Sequence, residues 1–241
     1  RARAMTDPAD ELERHAAAAR AARLAVQEQA EAVHRRMQQA AHYFSEFATQ
    51  MNIIAPRARQ TMELTGLMRF PDLVIRDLFV EERTRSPADL GATLAGSLAA
   101  PYEYVLLSFH YAGPRKQRIE RVLAPEIERL EEQLAQHRVR YELNYVRNAR
   151  AQIERAVFDI ESDISAGVKF IPDYDRARVR IALRNIDRLS TWDVAVPITA
   201  MNLPLYEELA RCVLGQPNEF RRMALGERPA PPGAPAATAK D

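Results

Sequence analysis

The sequence is poor in cysteine and glycine, and each shortage argues against a class of protein. With one cysteine, Cys212, the chain has no internal disulfide, which fits the reducing cytoplasm. Eight glycines leave little room for a glycine-rich phosphate loop, and neither common spacing of that loop occurs. Paired-histidine zinc helices, cysteine pairs and the strand–turn–helix serine elbow are also missing from the sequence. We therefore expect no cofactor and none of these catalytic sites.

Long apolar runs and an excess of one charge are missing too. No run is long enough to cross a bilayer and no signal peptide is visible, so we expect neither a membrane span nor a leader. The net charge of +1 provides no overall attraction to nucleic acids or acidic lipids. The 241 residues, 47% apolar and 28% charged, are typical of a soluble globular domain with an extension.

The first fifty residues contain the most specific pattern in the sequence. Asp7 and Pro8 suit a helix start, and no further glycine or proline occurs before Pro56. The pattern predicts one helix over residues 8–55, about 72 Å long at 1.5 Å per residue. Along it apolar residues recur at alternating intervals of four and three, with Arg23 as the exception. This heptad repeat is typical of a coiled coil.

We expect this heptad seam to associate with further copies of the chain, as a dimer or tetramer. Few charges flank the seam, so neither the number of helices nor their direction is specified. The alternative is that the helix packs along its own domain. The predicted oligomer interface consists of seam residues: Leu12, Val26, Ala30, Val33, Met37, Ala40, Phe44, Phe47, Met51 and Ile54.

Beyond Pro56 the apolar pattern changes towards the two-residue period of strands. Residues 56–71 are interpreted as a connector, either a second short helix or a run of turns, and residues 72–225 as the head domain. Short links between successive strands require antiparallel pairing. Strands are predicted over residues 72–83, 102–113, 139–147, 155–164, 167–171, 177–186 and 191–198. Residues 153–164 also fit helical spacing, but the neighbouring pattern favours a strand.

Three helices are expected in the head. Residues 86–101 predict a short or irregular helix, residues 115–138 an amphipathic helix kinked at Pro125, and residues 203–215 a closing helix that Gly215 ends. The predicted fold class is α+β: a long N-terminal coiled-coil or bundle helix, then a mainly antiparallel sheet with two or three packing helices. Residues 1–7 and the Pro/Ala-rich segment 226–241 are expected to be disordered.

Two rows of charge follow the predicted strands. Asp159, Glu161 and Asp163 share one strand face and could hold a hard divalent ion. A later strand carries a row of arginines: Arg176, Arg178, Arg180 and Arg184. Cross-strand pairs between acids and arginines would explain both rows without a metal. We therefore predict no metal site.

Basic residues of the head form a candidate anion site. The segment GPRKQR, residues 113–118, lies at a strand end, where a phosphate could meet backbone amides together with Arg115 or Lys116. Arg178 and Arg180 complete the predicted anion-binding set. Acids are interleaved with these arginines, and Tyr141 and Tyr145 lie on the face opposite Arg138 and Arg140, which argues against a nucleic-acid partner.

The fragment ESDISAGVKF resembles the loop of PilZ domains, which are β-barrels that bind a cyclic dinucleotide. That family has Asp/Asn-x-Ser-x-x-Gly, whereas Asp163, Ser165 and Gly167 are one residue too close. The family also has Arg-x-x-x-Arg upstream, whereas Arg147 and Arg150 are three residues apart. Neither motif is met.

Three functions are compatible with these patterns. The heptad seam and the missing catalytic motifs favour a non-enzymatic, homo-oligomeric assembly or adaptor protein whose head binds an unknown protein partner. The alternative is a regulatory module that senses a nucleotide-like anion, of the second-messenger type, through arginines of the head. An enzyme without a short motif would use His110 with Asp159, Glu161 or Asp163.

Overall fold

The computed structural model describes residues 8–64, 66–86, 89 and 98–227. Within them the chain is α+β, with one long α-helix, ten strands, three shorter α-helices and a single-turn 3-10 helix (Ile198–Ala200) after the last strand. In chain order the elements are α1 (Pro8–Ile54), β1 (Met62–Leu64), β2 (Met68–Phe70), β3 (Val74–Thr84), β4 (Tyr102–Ala112), β5 (Gln117–Arg121), α2 (Ala124–Gln136), β6 (Tyr141–Arg147), β7 (Ile153–Ile160), β8 (Asp163–Asp173), β9 (Arg178–Arg184), β10 (Thr191–Pro197), α3 (Leu203–Val213) and α4 (Phe220–Ala224). The predicted fold class is confirmed.

Helix α1 runs for 47 residues without interruption. It ends where Ala55 adopts a left-handed φ of 44° and Pro56 follows, a residue that cannot continue a helix. The Ala55 N–H still donates to the Met51 carbonyl over 2.8 Å. The predicted bounds of 8–55 are thus met to within one residue.

The strands form antiparallel sheets, as their short links require. The largest has five strands in the order β10-β9-β8-β4-β3, and a three-stranded sheet has the order β5-β7-β6. Two residues separate β7 from β8, so the chain passes almost directly from the smaller sheet into the larger one. Residues alternate along β4 and β8 between a buried face and a partly exposed one, which we call the inner and outer faces.

The second half of α1 and helix α3 cover the inner face. Phe44 lies 5.3 Å from Phe170 of β8 and 6.0 Å from Tyr206 of α3, measured between ring centroids. Asn52 fastens the end of α1 to β3, because its amide donates to the Leu78 carbonyl and accepts from the Leu78 N–H, each over 2.8 Å. The core therefore includes half of the heptad seam.

This packing corrects the predicted oligomer interface over its middle part. Six of its residues are 0–9% exposed within the single chain: Ala30, Val33, Met37, Ala40, Phe44 and Phe47. They leave no surface for a second copy. Met37, Ala40, Phe44 and Phe47 belong to the main core, whereas Ala30 and Val33 pack in a smaller cluster with Leu98 and Tyr174. Met51 is half-buried, whereas Leu12, Val26 and Ile54 are exposed.

Two further predictions are wrong in part. Residues 115–138 divide into strand β5 and helix α2, and Pro125 lies in the first turn of α2 instead of kinking a longer helix. Proline fits there because the first N–H groups of a helix have no intrahelical partner. Within 56–71, residues 62–70 contain the hairpin β1–β2 instead of a helix.

Other predictions are confirmed or lie outside the described residues. Residues 153–160 are strand β7, and Gly215 follows α3 with a left-handed φ of 66°. Most of the helix predicted over 86–101 falls on residues that the structure does not describe. The same holds for residues 1–7 and 228–241, so their predicted disorder stays a prediction.

Candidate functional site

A cavity of about 400 Å³ opens on the outer face of the five-stranded sheet. Strands β4, β8, β9 and β10 and the end of α2 all contribute to its wall. The lining residues are Leu106, Ser108, Arg138, Ser165, Ala166, Gly167, Lys169, Arg180, Ala182, Leu183, Arg184, Thr191, Trp192 and Asp193. A volume of this order lies within the range of small-molecule sites, roughly 300–1,000 Å³.

Small residues on neighbouring strands form the floor of the cavity. Gly167 on β8 lies between Ser108 on β4 and Arg184 on β9 in the ladder. A Cβ atom at Gly167 would lie 3.0 Å from the Leu107 carbonyl oxygen and 3.6 Å from Leu106 Cδ1. Because glycine has no side chain, the sheet is locally bare here and the cavity can form above it.

Four cationic side chains surround this floor: Arg138, Lys169, Arg180 and Arg184. Within the part of the chain that the structure describes, none of the four lies within 4 Å of a carboxylate oxygen. A single carboxylate, Asp193, also lines the cavity. The cavity is therefore positively charged, although the whole protein is almost neutral.

Arg138 occupies an unfavourable backbone position. It follows α2 with a left-handed φ of 55°, where glycine is the usual residue. The Arg138 N–H donates to the Ala135 carbonyl over 3.0 Å. The Val139 N–H donates to the Leu134 carbonyl over 2.9 Å, which completes the hydrogen-bond pattern of a Schellman cap. A non-glycine residue in this conformation costs roughly 1–2 kcal/mol.

Two of the cations are further constrained by their surroundings. Burial, together with the nearby positive charge of Arg138, lowers the pKa of Arg184 from its ordinary value. The Lys169 Nζ lies 3.8 Å from the centre of the Tyr104 ring, a cation–π contact that positions the ammonium without neutralising it. Arg184 keeps its charge at neutral pH because the ordinary pKa of a guanidinium is far above 7.

Asn185 connects the elements that carry the two arginines. This buried residue follows β9 with a left-handed φ of 51°. Its side-chain amide donates to the Ser165 carbonyl over 2.9 Å and to the His137 carbonyl over 3.3 Å. The end of α2 is thereby held against β8, which keeps Arg138 beside Arg184 despite their repulsion.

A second charged region on the outer face is built around Asp163, and we call it the Asp163 network. The Asp163 carboxylate lies 2.8 Å from His110 Nδ1 and 2.8 Å from Arg140 Nη2. It also lies 3.5 Å from Arg76, and Arg140 reaches Glu161 over 3.1 Å. Burial raises the pKa of Asp163, but His110, Arg140 and Arg76 outweigh that effect and hold the pKa below its ordinary value.

The acidic row predicted along residues 159–163 is therefore used in ion pairs. Asp159 accepts two hydrogen bonds from Arg118, over 2.8 and 2.9 Å. Glu161 and Asp163 belong to the Asp163 network, which also includes His110, the residue that an enzyme without a short motif was expected to use. Among the described residues no cluster of histidine, cysteine and carboxylate groups could hold a metal ion. The acids pair with arginines, though not with those of β9.

The predicted anion-binding residues fall into two separate places. Arg180 lines the cavity, and Arg178 lies two residues away on the same strand face, outside the lining. Arg115 and Lys116 lie between β4 and β5, in a different groove. Lys116 is paired there with Glu142 over 3.0 Å. The structure thus places the four predicted residues in two separate regions, and anion binding by them stays a prediction.

Three cationic residues of the cavity were not in the predicted set: Arg138, Lys169 and Arg184. Arg184 belongs to the predicted arginine row, so the sequence already indicated the strand face on which it lies. Arg138 and Lys169 had no such signal, because their proximity depends on how α2 and β8 meet β9. Ser165 and Gly167, from the PilZ-like fragment, contribute to the cavity, whereas Asp163 belongs to the network.

Comparison with known proteins adds no further assignment. No family model, curated protein or solved structure matches the chain. Among the described helices, none combines the length and the apolar character needed to cross a bilayer.

Cys212 is buried, and burial raises the pKa of its thiol to about 11, so it is a packing residue and not a thiolate nucleophile.

Proposed function

We propose that the head is a non-enzymatic binding module for a small, phosphate-bearing, nucleotide-like anion, which occupies the cavity on the outer face. The observation that carries the proposal is the gathering in one cavity of four cations that have no carboxylate partner among the described residues. Arginine forks bind two phosphate oxygens at once, and such charge-assisted hydrogen bonds are about twice as strong as neutral ones. The lining therefore suits a phosphate better than a neutral ligand.

The energetics of the cavity support a binding role. Folding places Arg138 in a left-handed conformation and beside a like charge, Arg184. Both features oppose folding. Strain of this kind persists only where the rest of the structure compensates for it, and it is concentrated at functional sites. A bound anion would remove the repulsion between the two arginines. Binding only to the folded state would also raise the stability of the protein.

The remaining walls suit an organic group attached to the phosphate. Leu106 and Ala182 contribute apolar surface next to the cations. Leu183 and its ladder partner Trp192 also border the cavity, but their side chains belong to the inner face, where the indole packs on Phe220. Arg221 lies 4.8 Å from the Trp192 ring on that side and fixes the indole just beneath the cavity. A flat, mainly apolar ring beside a phosphate is the chemistry of a nucleotide, which is the basis for naming that class.

A direct experiment uses Trp192, which is the single tryptophan of the sequence. Titration with inorganic phosphate, pyrophosphate, GMP and cyclic di-GMP should change its fluorescence in a saturable way for at least one of these probes. Thermal unfolding with the same probe should shift upwards. Cyclic di-GMP is included because of the PilZ-like fragment in β8.

A matched pair of variants separates specific binding from general charge. Arg184→Ala removes a cavity cation and should weaken binding of the active probe by at least about tenfold. Arg140→Ala removes an arginine of the same outer face that is already paired with carboxylates, and should leave binding within about twofold. The proposal fails if no probe changes the fluorescence or the unfolding temperature, or if both variants behave alike.

A further inference from the structure

We call the exposed first part of α1, residues 11–26, the arm. Every residue from 11 to 26 is exposed, whereas Ala30 and Val33 are buried. Leu12, on the seam, is 73% exposed. At 1.5 Å per residue this arm is about 24 Å long. The seam thus continues past the point where the head stops covering it.

We propose that the arm pairs with the arm of a second copy of this chain, in an antiparallel two-helix arrangement. In the heptad repeat of the seam, Leu12, Ala16, Ala19, Arg23 and Val26 are core positions. Antiparallel pairing sets Ala16 of one copy against Ala19 of the other, and Leu12 against Arg23. Small residues at the centre allow the two backbones to approach closely, and the Arg23 stem can cover Leu12.

Charge complementarity decides the direction. Glu13 and Arg20 both occupy the e position of the repeat, which faces the e position of the partner in an antiparallel pair. Glu13 of each copy then faces Arg20 of the other, which makes two ion pairs by symmetry. In a parallel pair the g and e positions meet, so His15 would face Arg20 and no complementary pair would form.

The antiparallel arrangement also fits the position of the head. Because the head covers α1 from about residue 30 onwards, antiparallel arms place the two heads at opposite ends of the pair. Alanine at the two central layers buries little apolar area. We therefore expect association in the micromolar range and not a permanent dimer.

The first experiment is analytical ultracentrifugation of the full chain across low to high micromolar concentrations. The wild type should approach twice the monomer mass as concentration rises. Glu13→Arg and Arg20→Glu should each raise the dissociation constant by about tenfold, because each places like charges across both e positions. An equimolar mixture of the two variants should dimerise again, since their charges are complementary. Glu28→Arg, outside the seam, serves as the control and should behave as the wild type.

Cysteine cross-linking tests the direction independently. Leu12→Cys and Arg23→Cys should each stay uncross-linked under oxidation, whereas their mixture should form a disulfide-linked heterodimer. Cross-linking of Leu12→Cys with itself would show parallel pairing and overturn the proposed direction. A chain that stays monomeric at every concentration would overturn the pairing itself. Neither result bears on anion binding by the cavity, and a cavity that binds no probe would leave the arm proposal intact.

Discussion

The cavity and the Asp163 network lie on the same outer face of one sheet, yet their arginines are in opposite situations. In the network Arg76 and Arg140 contact carboxylates at 2.8–3.5 Å. In the cavity Arg138 and Arg184 have no such partner among the residues that the structure describes, and they repel each other. The number of arginines in a region therefore does not by itself distinguish the proposed binding site from the Asp163 network. What distinguishes the proposed site is that its arginines are not neutralised by carboxylates within the part of the chain that the structure describes.

The difference also separates two uses of charge. Paired charges on a strand face stabilise the sheet modestly through hydrogen bonds and Coulomb attraction. Unpaired cations around a bare floor reduce stability and become favourable only when an anion arrives. The predictions below alter one region while the other serves as its reference, and they run from the largest expected effect to the smallest.

The largest effect is expected on anion binding when both repelling arginines are removed. Arg138→Ala with Arg184→Ala should weaken binding of the active probe by about 100-fold or more, since each charge-assisted hydrogen bond contributes about 1.5–3 kcal/mol. Arg76→Ala with Arg140→Ala removes the same number of charges from the network and should change binding less than about threefold. Tryptophan fluorescence titration measures both. Equal losses in the two double variants would contradict the comparison.

The network should contribute stability that depends on pH. Because the folded-state pKa of Asp163 is lowered, its contribution is present above its unfolded pKa of about 3.9 and disappears as pH falls through the folded value. Asp163→Asn should therefore reduce the free energy of unfolding by about 1–3 kcal/mol at pH 7 and by much less at pH 3.

Urea denaturation at the two pH values measures this difference. Asp193→Asn, which alters a carboxylate of the cavity, is the control and should not show the same pH dependence. A loss of stability for Asp163→Asn that is equally large at pH 3 would show that packing, and not charge, is responsible.

Arg138→Gly should separate stability from binding. Glycine adopts the left-handed cap position without steric cost, so the free energy of unfolding should rise by about 0.5–1 kcal/mol while anion affinity falls by about tenfold. Arg138→Ala should lose the same affinity with a smaller gain in stability, because alanine keeps the unfavourable backbone conformation. Calorimetry and fluorescence titration give the two quantities. A less stable glycine variant would contradict the strain assigned to this position.

The smallest effect concerns the single carboxylate of the cavity. Asp193→Asn removes a negative charge from the lining and should tighten anion binding by about two- to threefold at low ionic strength. Asp175→Asn, in the exposed turn before β9, is the matched control and should leave affinity unchanged. Titrations at two salt concentrations are sufficient. Unchanged affinity for Asp193→Asn at low salt would show that this carboxylate is too far from the bound anion to repel it.

Much of the fold was predictable because it follows from local rules. A stretch free of glycine and proline with heptad spacing predicted α1, and alternating apolar residues predicted the strands of the large sheet. The prediction of one helix over residues 115–138 was wrong. Strand β5 and helix α2 follow each other closely, and their apolar residues together have the spacing of a single helix. The register that places Gly167 between Ser108 and Arg184 could not be predicted, because it depends on how three separate strands pair.

The candidate site was predictable only in part. Arg180 and the face of Arg184 were visible in the arginine row, since side chains two residues apart share a strand face. Lys116 was misleading because its carboxylate partner, Glu142, comes from another strand, and Arg115 lies with it in a separate groove. The left-handed conformation of Arg138 could not be predicted, because the only indication in the sequence is a helix end that lacks glycine. The position of Arg138 beside Arg184 depends on the hydrogen bonds of Asn185.

By itself, the sequence determined the length of α1, the alternation of the strands and the lack of an internal disulfide, because each depends on residues close together in the chain or on composition alone. Only the tertiary structure decided that the aromatic half of the seam is buried by its own head while the alanine-rich half stays exposed. It alone also decided which arginines meet carboxylates and which do not. The physical reason is that burial and charge pairing depend on neighbours from distant segments, such as Phe170 for Phe44 or Asp163 for Arg76.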